Sequence, residues 1–478
     1  MSGRVGYIAI DCFVCHAEFP TIIMNPENFP PAFEQRMRNV LGGEWENFAK
    51  IHKEDSPVSI RVNPRKLSNH SYQDRIPWTT TGYYLNERPV FTLDPVLHAG
   101  GYYVQEASSM FLEQTVLQTI NSQAELNVLD LCAAPGGKST HLLSLLSKDS
   151  LLVSNEVIRS RASILAENIQ KWGNLNTAVT NCDPKDFQRL GAFFDLVVVD
   201  APCSGEGLFR KDPDAMNEWS PDNVALCASR QRRILKDIWP ALKHDGTLIY
   251  STCTYNENEN EEVLQWLTEM EDVDFVRLTL DQQWGVTEIV KDKVYGYRLF
   301  PHRLKGEGFF ISVMRKRSEG ESRLKLKKMF VPPGKKTSDQ IREWLKHPDK
   351  ISFIIRNDEL VHALPANKVT EIEWLANNVH LISSGTAIAE QKHNKLVPEH
   401  ALALSTHLNT ENFNKIDLEL SDALQFLRRE TIAVNNVEKG FALVSFSGLA
   451  LGWVNVLDSR INNLYPAQWR IRMQDRKA

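Results

Sequence analysis

The chain is expected to be α/β, with a doubly wound domain over residues 106–316, a small α+β domain before it and an extension after it. Two observations carry this. Short apolar runs at 127–131, 151–155, 176–180, 195–200 and 246–251 alternate with helical patterns, the order of a parallel sheet wrapped by helices. The first run opens Val128-Leu-Asp-Leu-Cys-Ala-Ala-Pro-Gly-Gly-Lys-Ser-Thr140, where adjacent Gly136 and Gly137 separate it from a helical pattern at 138–146. A strand, a glycine turn and a helix N-terminus make a nucleotide-type site. The glycines admit a ligand to the backbone, and free N–H groups meet a carboxylate or phosphate.

Three ligands compete for the turn. A phosphate loop needs G-x-x-x-x-G-K-[ST], and its first glycine falls on Cys132. A dinucleotide fingerprint needs G-x-G-x-x-G, and Ser139 and Thr140 stand where the third glycine should lie. S-adenosylmethionine needs backbone access at the turn and a carboxylate for its ribose. Glu156, at the end of the next strand, has that spacing. An ordinary tight turn would read the same, so the motif alone does not decide.

At 478 residues the chain has room for roughly three domains. The apolar fraction of 42% supplies packed cores, and no apolar run approaches the roughly 18 residues of a membrane span. Seven cysteines, an odd count without framework spacing, point to reduced thiols and a cytoplasmic protein. Cys12 and Cys15 form a lone C-x-x-C that nothing nearby completes, so no metal site is expected. Residues 1–24 are an extension of unknown role. Their apolar stretch is short and broken by Asp11 and His16, unlike a signal peptide, and Met24 is an alternative start. A net charge of −5 and a pI near 6.3 leave any nucleic-acid contact to local basic surface.

In chain order, residues 25–105 form the small mixed domain. Residues 33–48 have helical spacing, and Pro57-Val-Ser-Ile-Arg-Val-Asn63 alternates like a strand. Arg61, Asn63, Arg65 and Lys66 cluster at that strand's end, which suits either a solvated edge or RNA contact. Residues 107–117 begin a helix. The pattern at 158–172 puts Ala162, Leu165, Ala166 and Ile169 on one face and stops at Gly173. Asp183 closes the third strand, at the carboxyl edge with Gly136 and Glu156. It suits the adenine side of a ligand or a simple turn cap. Residues 317–337 read as a basic linker, with eight Lys/Arg against two Asp/Glu over 316–336. They suit a tether or an RNA-backbone contact. Residues 338–410 are a second compact region, strand-like at 351–355 and 379–382. Residues 411–478 alternate like a small β module, with Trp453 and Trp469 among basic residues.

Two cysteines stand out. Asp200-Ala-Pro-Cys203 and Ser251-Thr-Cys253 each follow a buried strand, so both project from the carboxyl edge over the glycine turn. Buried cysteines are usually small hydrophobes, but a pair at consecutive strand ends suits a specific reaction. Carbon 5 of a pyrimidine is a poor nucleophile. A thiolate adding to carbon 6 makes it enamine-like, an acid must meet the ring edge, and a base must then remove the carbon 5 proton. Cys253, Asp200 and Cys203 fit those roles. Methylation of an exocyclic amine typically uses Asn/Asp-Pro-Pro-aromatic. Asp200-Ala-Pro-Cys203 lacks both the second proline and the aromatic residue.

These pieces carry a family resemblance, joined by Asp130-Leu-Cys-Ala-Ala-Pro-Gly-Gly-Lys138, Asn256 with Glu259-Asn-Glu261, Gly306-Glu-Gly-Phe-Phe310 and Gly101-Tyr-Tyr-Val-Gln105. Over nearly all of residues 57–316 the chain resembles the Sun family of RNA (cytosine-5) methyltransferases, and within it the bacterial RsmF type. The resemblance implies a Rossmann-like methyltransferase domain that uses S-adenosylmethionine, and a PUA-like RNA-binding module around Phe426-Leu-Arg-Arg-Glu430 and Arg460-Ile-Asn-Asn463. It implies Cys253 as nucleophile and Cys203 as the residue assisting release. Spacing does not decide that order, because cytosine-5 DNA methyltransferases attack with the cysteine of a Pro-Cys motif. The implied cofactor positions are Cys132, Ala133, Ala134, Pro135, Gly136, Gly137, Lys138, Glu156, Asp183 and Asp200. Candidate RNA contacts are Arg61, Arg210, Lys211, Lys325, Lys327 and Lys328. The expected substrate is 16S ribosomal RNA, met by a monomer without metal or membrane. Transfer RNA is the runner-up. A non-catalytic RNA-binding assembly factor is a further alternative, opposed by the intact turn, Asp200 and both cysteines.

Overall fold

The computed structural model describes residues 29–320, 326–356, 359–392, 395–432 and 437–474. Cys12, Cys15 and Lys325 lie outside them. At the centre is a mixed sheet: β1 (Asn127–Asp130), β2 (Leu151–Asn155), β3 (Thr177–Thr180), β4 (Phe194–Asp200) and β5 (Leu242–Thr252), then β6 (Thr287–Lys291), β7 (Val294–Leu299), β8 (Phe309–Lys316) and β9 (Leu381–Ser384). The spatial order is β6-β7-β8-β5-β4-β1-β2-β3-β9. Strands β1 to β5 pair in parallel; β6 to β9 pair antiparallel with their neighbours.

Burial of both faces explains the continuous apolar runs. Leu196 and Val198 of β4 pack with Leu142 and Leu143 of α1 (Gly137–Leu145) and with Leu165 and Ile169 of α2 (Arg159–Trp172). Val197 and Val199 face Ile234 and Leu235 of α3 (Pro221–Ile238) and Leu264 of α4 (Glu261–Met270). From β1 the chain winds outward to β3 and then returns to β4. The order therefore reverses between β1 and β4, where ligands bind outside the carboxyl ends of the strands. The expected α/β class is borne out.

Two features depart from the sequence reading. The helical stretch at 33–48 is two helices, Pro31–Leu41 and Trp45–Ile51, broken where Gly42 takes φ +53°. The region after residue 337 is also continuous with the central sheet, because β9 pairs with β3 and covers what would otherwise be an open edge. Residues 351–398 add a four-stranded sheet of their own, and residues 414–463 another.

The C-terminus of α2 is the meeting point of these parts. Gly173 ends it at φ +86°, as its pattern required. Lys66 donates to the Lys171 carbonyl at 2.6 Å and Asn63 to the Trp172 carbonyl at 3.0 Å, while the Thr406 N–H donates to the Gly173 carbonyl at 3.0 Å. Asn63 and Lys66 are thus neither a solvated edge nor RNA contacts. They satisfy the last carbonyls of a helix, which attract donors and cations. No helix among the described residues is long and apolar enough to cross a membrane.

Burial of neutral histidines sets an acid limit on stability. Burial holds His52 and His362 at about 4 and His98 and His400 at about 3. Below about pH 6.5 these rings bind protons in the unfolded chain but not in the fold, so their contribution is lost as pH falls. Asp130 and Glu259, raised to about 7 by burial, act with the opposite sign but are fewer. The melting temperature is expected to drop between about pH 7 and pH 5; a flat or rising profile would contradict this.

Candidate active site

The glycine turn is held from three sides. Ala133 N–H donates to the Asn155 carbonyl at 2.8 Å, Arg161 to the Ala134 carbonyl at 2.9 Å and Asn168 to the Pro135 carbonyl at 2.8 Å. Gly136 has φ +119° and starts α1 without a side-chain cap, a conformation that side chains rarely adopt. The first N–H groups of α1 are therefore available to a ligand. Beneath the turn, Asp130 is fully buried, takes the Ser139 hydroxyl at 2.7 Å and has no partner for Oδ1 among the described residues. Glu156 ends β2 nearly buried, accepting the Ile158 N–H at 2.9 Å. Asp183 caps the turn after it and pairs with Arg233 at 3.1 Å, so the capping role is occupied. The open helix start, the unpartnered Asp130 oxygen and the carboxylates closing β2 and β3 fit S-adenosylmethionine.

Strands β4 and β5 run side by side with Asp200 opposite Ser251, so the loops beyond them open at one level. Asp200 takes the Ser251 hydroxyl on Oδ1 at 2.7 Å and Lys138 Nζ on Oδ2 at 2.7 Å. Lys138 belongs to the glycine turn, so that ion pair joins the turn to the thiol side of the edge. Three and two residues further on, Cys203 Sγ and Cys253 Sγ lie 3.1 Å apart, and both are free thiols. The bond to Cys253, burial and the nearby Glu259 push the Cys203 thiol well above its ordinary range.

Two buried acids around the thiols went unassigned in the sequence. Glu206 takes Arg36, Trp219 Nε1 at 3.0 Å and the Tyr255 N–H at 3.1 Å. Glu259 takes the Ser204 N–H at 2.9 Å and Gln231 Nε2 at 3.0 Å. One signal was legible, since Gln231 is a polar residue on the apolar face of α3, beside Cys227, Ala228 and Ile234. Such a residue needs a buried partner.

Comparison with known proteins bears out the family resemblance. Family models match residues 116–315 (16S rRNA methyltransferase RsmB/F), residues 29–107 (N-terminal domain of 16S rRNA methyltransferase RsmF) and residues 413–471 (methyltransferase RsmF PUA domain). Ribosomal RNA small subunit methyltransferase F of Aliivibrio fischeri is 31% identical, over 93% of this chain and 98% of that one. The chain belongs to the RsmF family. The Shewanella woodyi member is 30% identical over 86% of this chain and 90% of its own. A solved methyltransferase homolog from Pyrococcus horikoshii, 27% identical, aligns with a TM-score of 0.52 over 60% of this chain and 96% of that one.

Within this RsmF-family chain, two expected RNA contacts are corrected. Arg61 is fully buried. It donates to Gln105 Oε1 at 2.8 Å, to the Thr140 carbonyl at 3.3 Å and to the Gly137 carbonyl at 3.3 Å, and it lies 4.6 Å over the Trp172 ring. It clamps the first turn of α1, and burial lowers its pKa. Arg210 is likewise buried, paired with Glu307 at 2.8 Å. Arg61→Ala is expected to cost about 3 kcal/mol or more, because it strands several buried acceptors. Denaturant unfolding checks this, and a loss under about 1 kcal/mol would refute the clamp. Lys211 is partly buried, and Lys327 and Lys328 are exposed. A further basic surface lies in the last module, where Arg428, Arg429, Arg470, Asn462 and Asn463 line an open pocket of about 500 Å³.

Proposed function

We propose that this chain is a cytoplasmic S-adenosylmethionine-dependent RNA cytosine-5 methyltransferase acting on 16S ribosomal RNA as a monomer. The observation that carries the reading is the 3.1 Å pair of free thiols beside Asp200 at the switch point of the sheet. The relatives' names support a small-subunit ribosomal substrate over transfer RNA. The intact thiols and turn support an enzyme over an assembly factor.

The residues that would hold the cofactor are the turn from Cys132 to Lys138, with Glu156 and Asp183, and Asp200 beyond it. S-adenosylmethionine, when bound, supplies an electrophilic methyl group. Cys253, the nucleophile that the family resemblance implies, loses its proton to solvent, and its sulfur bonds to carbon 6 of cytosine. Asp200, oriented by Lys138 and Ser251, meets the N3 and amine edge as charge develops there. Carbon 5, made enamine-like, can then accept the methyl group. Once the Cys253 sulfur is a neutral thioether, the like-charge penalty on a Cys203 thiolate is gone, and Cys203 releases its proton to solvent. Cys203 then takes the carbon 5 proton, the 5,6 double bond re-forms, and the carbon–sulfur electrons return to Cys253.

Bisulfite sequencing of RNA from cells with and without the gene tests the reading. One cytosine of 16S ribosomal RNA is expected to lose its protection. Loss in a transfer RNA would favour the runner-up, and no change in any cytosine would defeat the proposal.

A further inference from the structure

Glu259 takes no part in that sequence of steps, yet it ties together the two loops that carry the thiols. Its Oε2 accepts the Ser204 N–H at 2.9 Å and Gln231 Nε2 at 3.0 Å, and its Oε1 accepts the Ser204 hydroxyl. Gln231 Nε2 also donates to the Pro202 carbonyl at 3.0 Å. The residues on both sides of Cys203 are thereby pinned by one network. The other loop closes on the same point. Ser204 Oγ lies 3.1 Å from Thr254 Oγ1, and the Gly207 N–H donates to the Cys253 carbonyl at 2.8 Å.

The chemistry of this acid is unlike that of its neighbours. The buried carboxylates Glu206, Glu261 and Glu307 each face an arginine: Arg36, Arg298 and Arg210. Glu259 is fully buried with neutral donors and no cation partner among the described residues. An unpaired buried acid is costly. What it adds over an amide is acceptor capacity on both oxygens at once, for three converging donors.

The two thiols depend on this network unequally. Cys253 directly follows β5, whose Thr252 is in register with Phe310 of β8, so a sheet ladder places it. Residues 201–205 belong to no strand or helix, so Cys203 is placed by side-chain hydrogen bonds instead. Loosening Glu259 should displace Cys203 and spare Cys253.

We propose that Glu259 is a positioning residue for Cys203, holding its thiol in reach of the adduct so that release keeps pace with addition; this rests on the two-thiol reading above. Glu259→Gln puts a donor where Ser204 and Gln231 already donate. Turnover is expected to fall about ten- to a hundredfold, with KM little changed. The decisive readout is covalent protein–RNA species on denaturing gels with S-adenosylmethionine present, which should rise well above wild type, because addition continues while release stalls. A purely structural role would lose activity without trapping RNA.

Cys203→Ala is run in parallel. If it traps RNA and Glu259→Gln does not, the positioning role is wrong and the two-thiol reading stands. If neither traps RNA, the two-thiol reading itself fails. Should Glu259→Gln not fold, Gln231→Met decides, since it removes the ties to Glu259 and Pro202 while keeping the side chain's bulk. Trapping by a folded Gln231→Met supports the proposal, and wild-type release by it overturns the proposal.

Discussion

Cys253→Ala is expected to abolish methyl transfer to RNA while leaving the fold, cofactor binding and RNA affinity close to wild type. Without a covalent bond at carbon 6, carbon 5 has too little electron density to attack a sulfonium methyl group. The remaining site can only hold the reactants together. A loss of about a thousandfold or more in kcat is the scale for removing a covalent nucleophile. The side chain sits at the mouth of a strand whose preceding residues, from Gly246 to Thr252, are all buried. Truncating it at this half-buried position costs little stability. Methyl incorporation from labelled donor, alongside a melting curve, measures both quantities. Substantial turnover by the alanine or serine variant would remove the basis for a thiolate adduct.

Cys203→Ala is expected to do something different: to accumulate a slow-migrating covalent complex with substrate RNA. Addition needs only the thiolate of Cys253, the Asp200 edge and the bound donor. Elimination needs a base at carbon 5, and the Cys203 sulfur, 3.1 Å from that of Cys253, is the candidate. Cys203 forms no bond in the addition step, so its removal leaves that step open. The complex should be absent from Cys253→Ala and from the double variant. If Cys253→Ala traps RNA instead, the two roles are exchanged, the order that cytosine-5 DNA methyltransferases use.

Some of the site was legible because it is written in short contiguous segments. The strand, the adjacent glycines and the helix start fix one another locally, and Gly136 carries the positive φ that the turn demands. The helix ending at Gly173 was equally plain, from its apolar face and its stop. Other residues misled for a common reason. Arg61 and Arg210 read as surface cations, because nothing within a few positions announces that Gln105, Thr140 or Glu307 will enclose them. Glu259 stood inside a recognised motif without a role, since its partners Ser204 and Gln231 come from two separate elements. The pairing of β9 with β3 joins segments some two hundred positions apart through backbone groups that every residue shares.

By itself, then, the order of residues determined the fold class and the family. Alternation of strands and helices forces successive strand ends to one edge, and the motifs placed there are the ones that carry the family resemblance. Only the tertiary structure decided which charges are buried clamps, how close the two thiols come and where the central sheet ends. Those outcomes depend on distance and desolvation between segments remote in the chain, which no local pattern encodes.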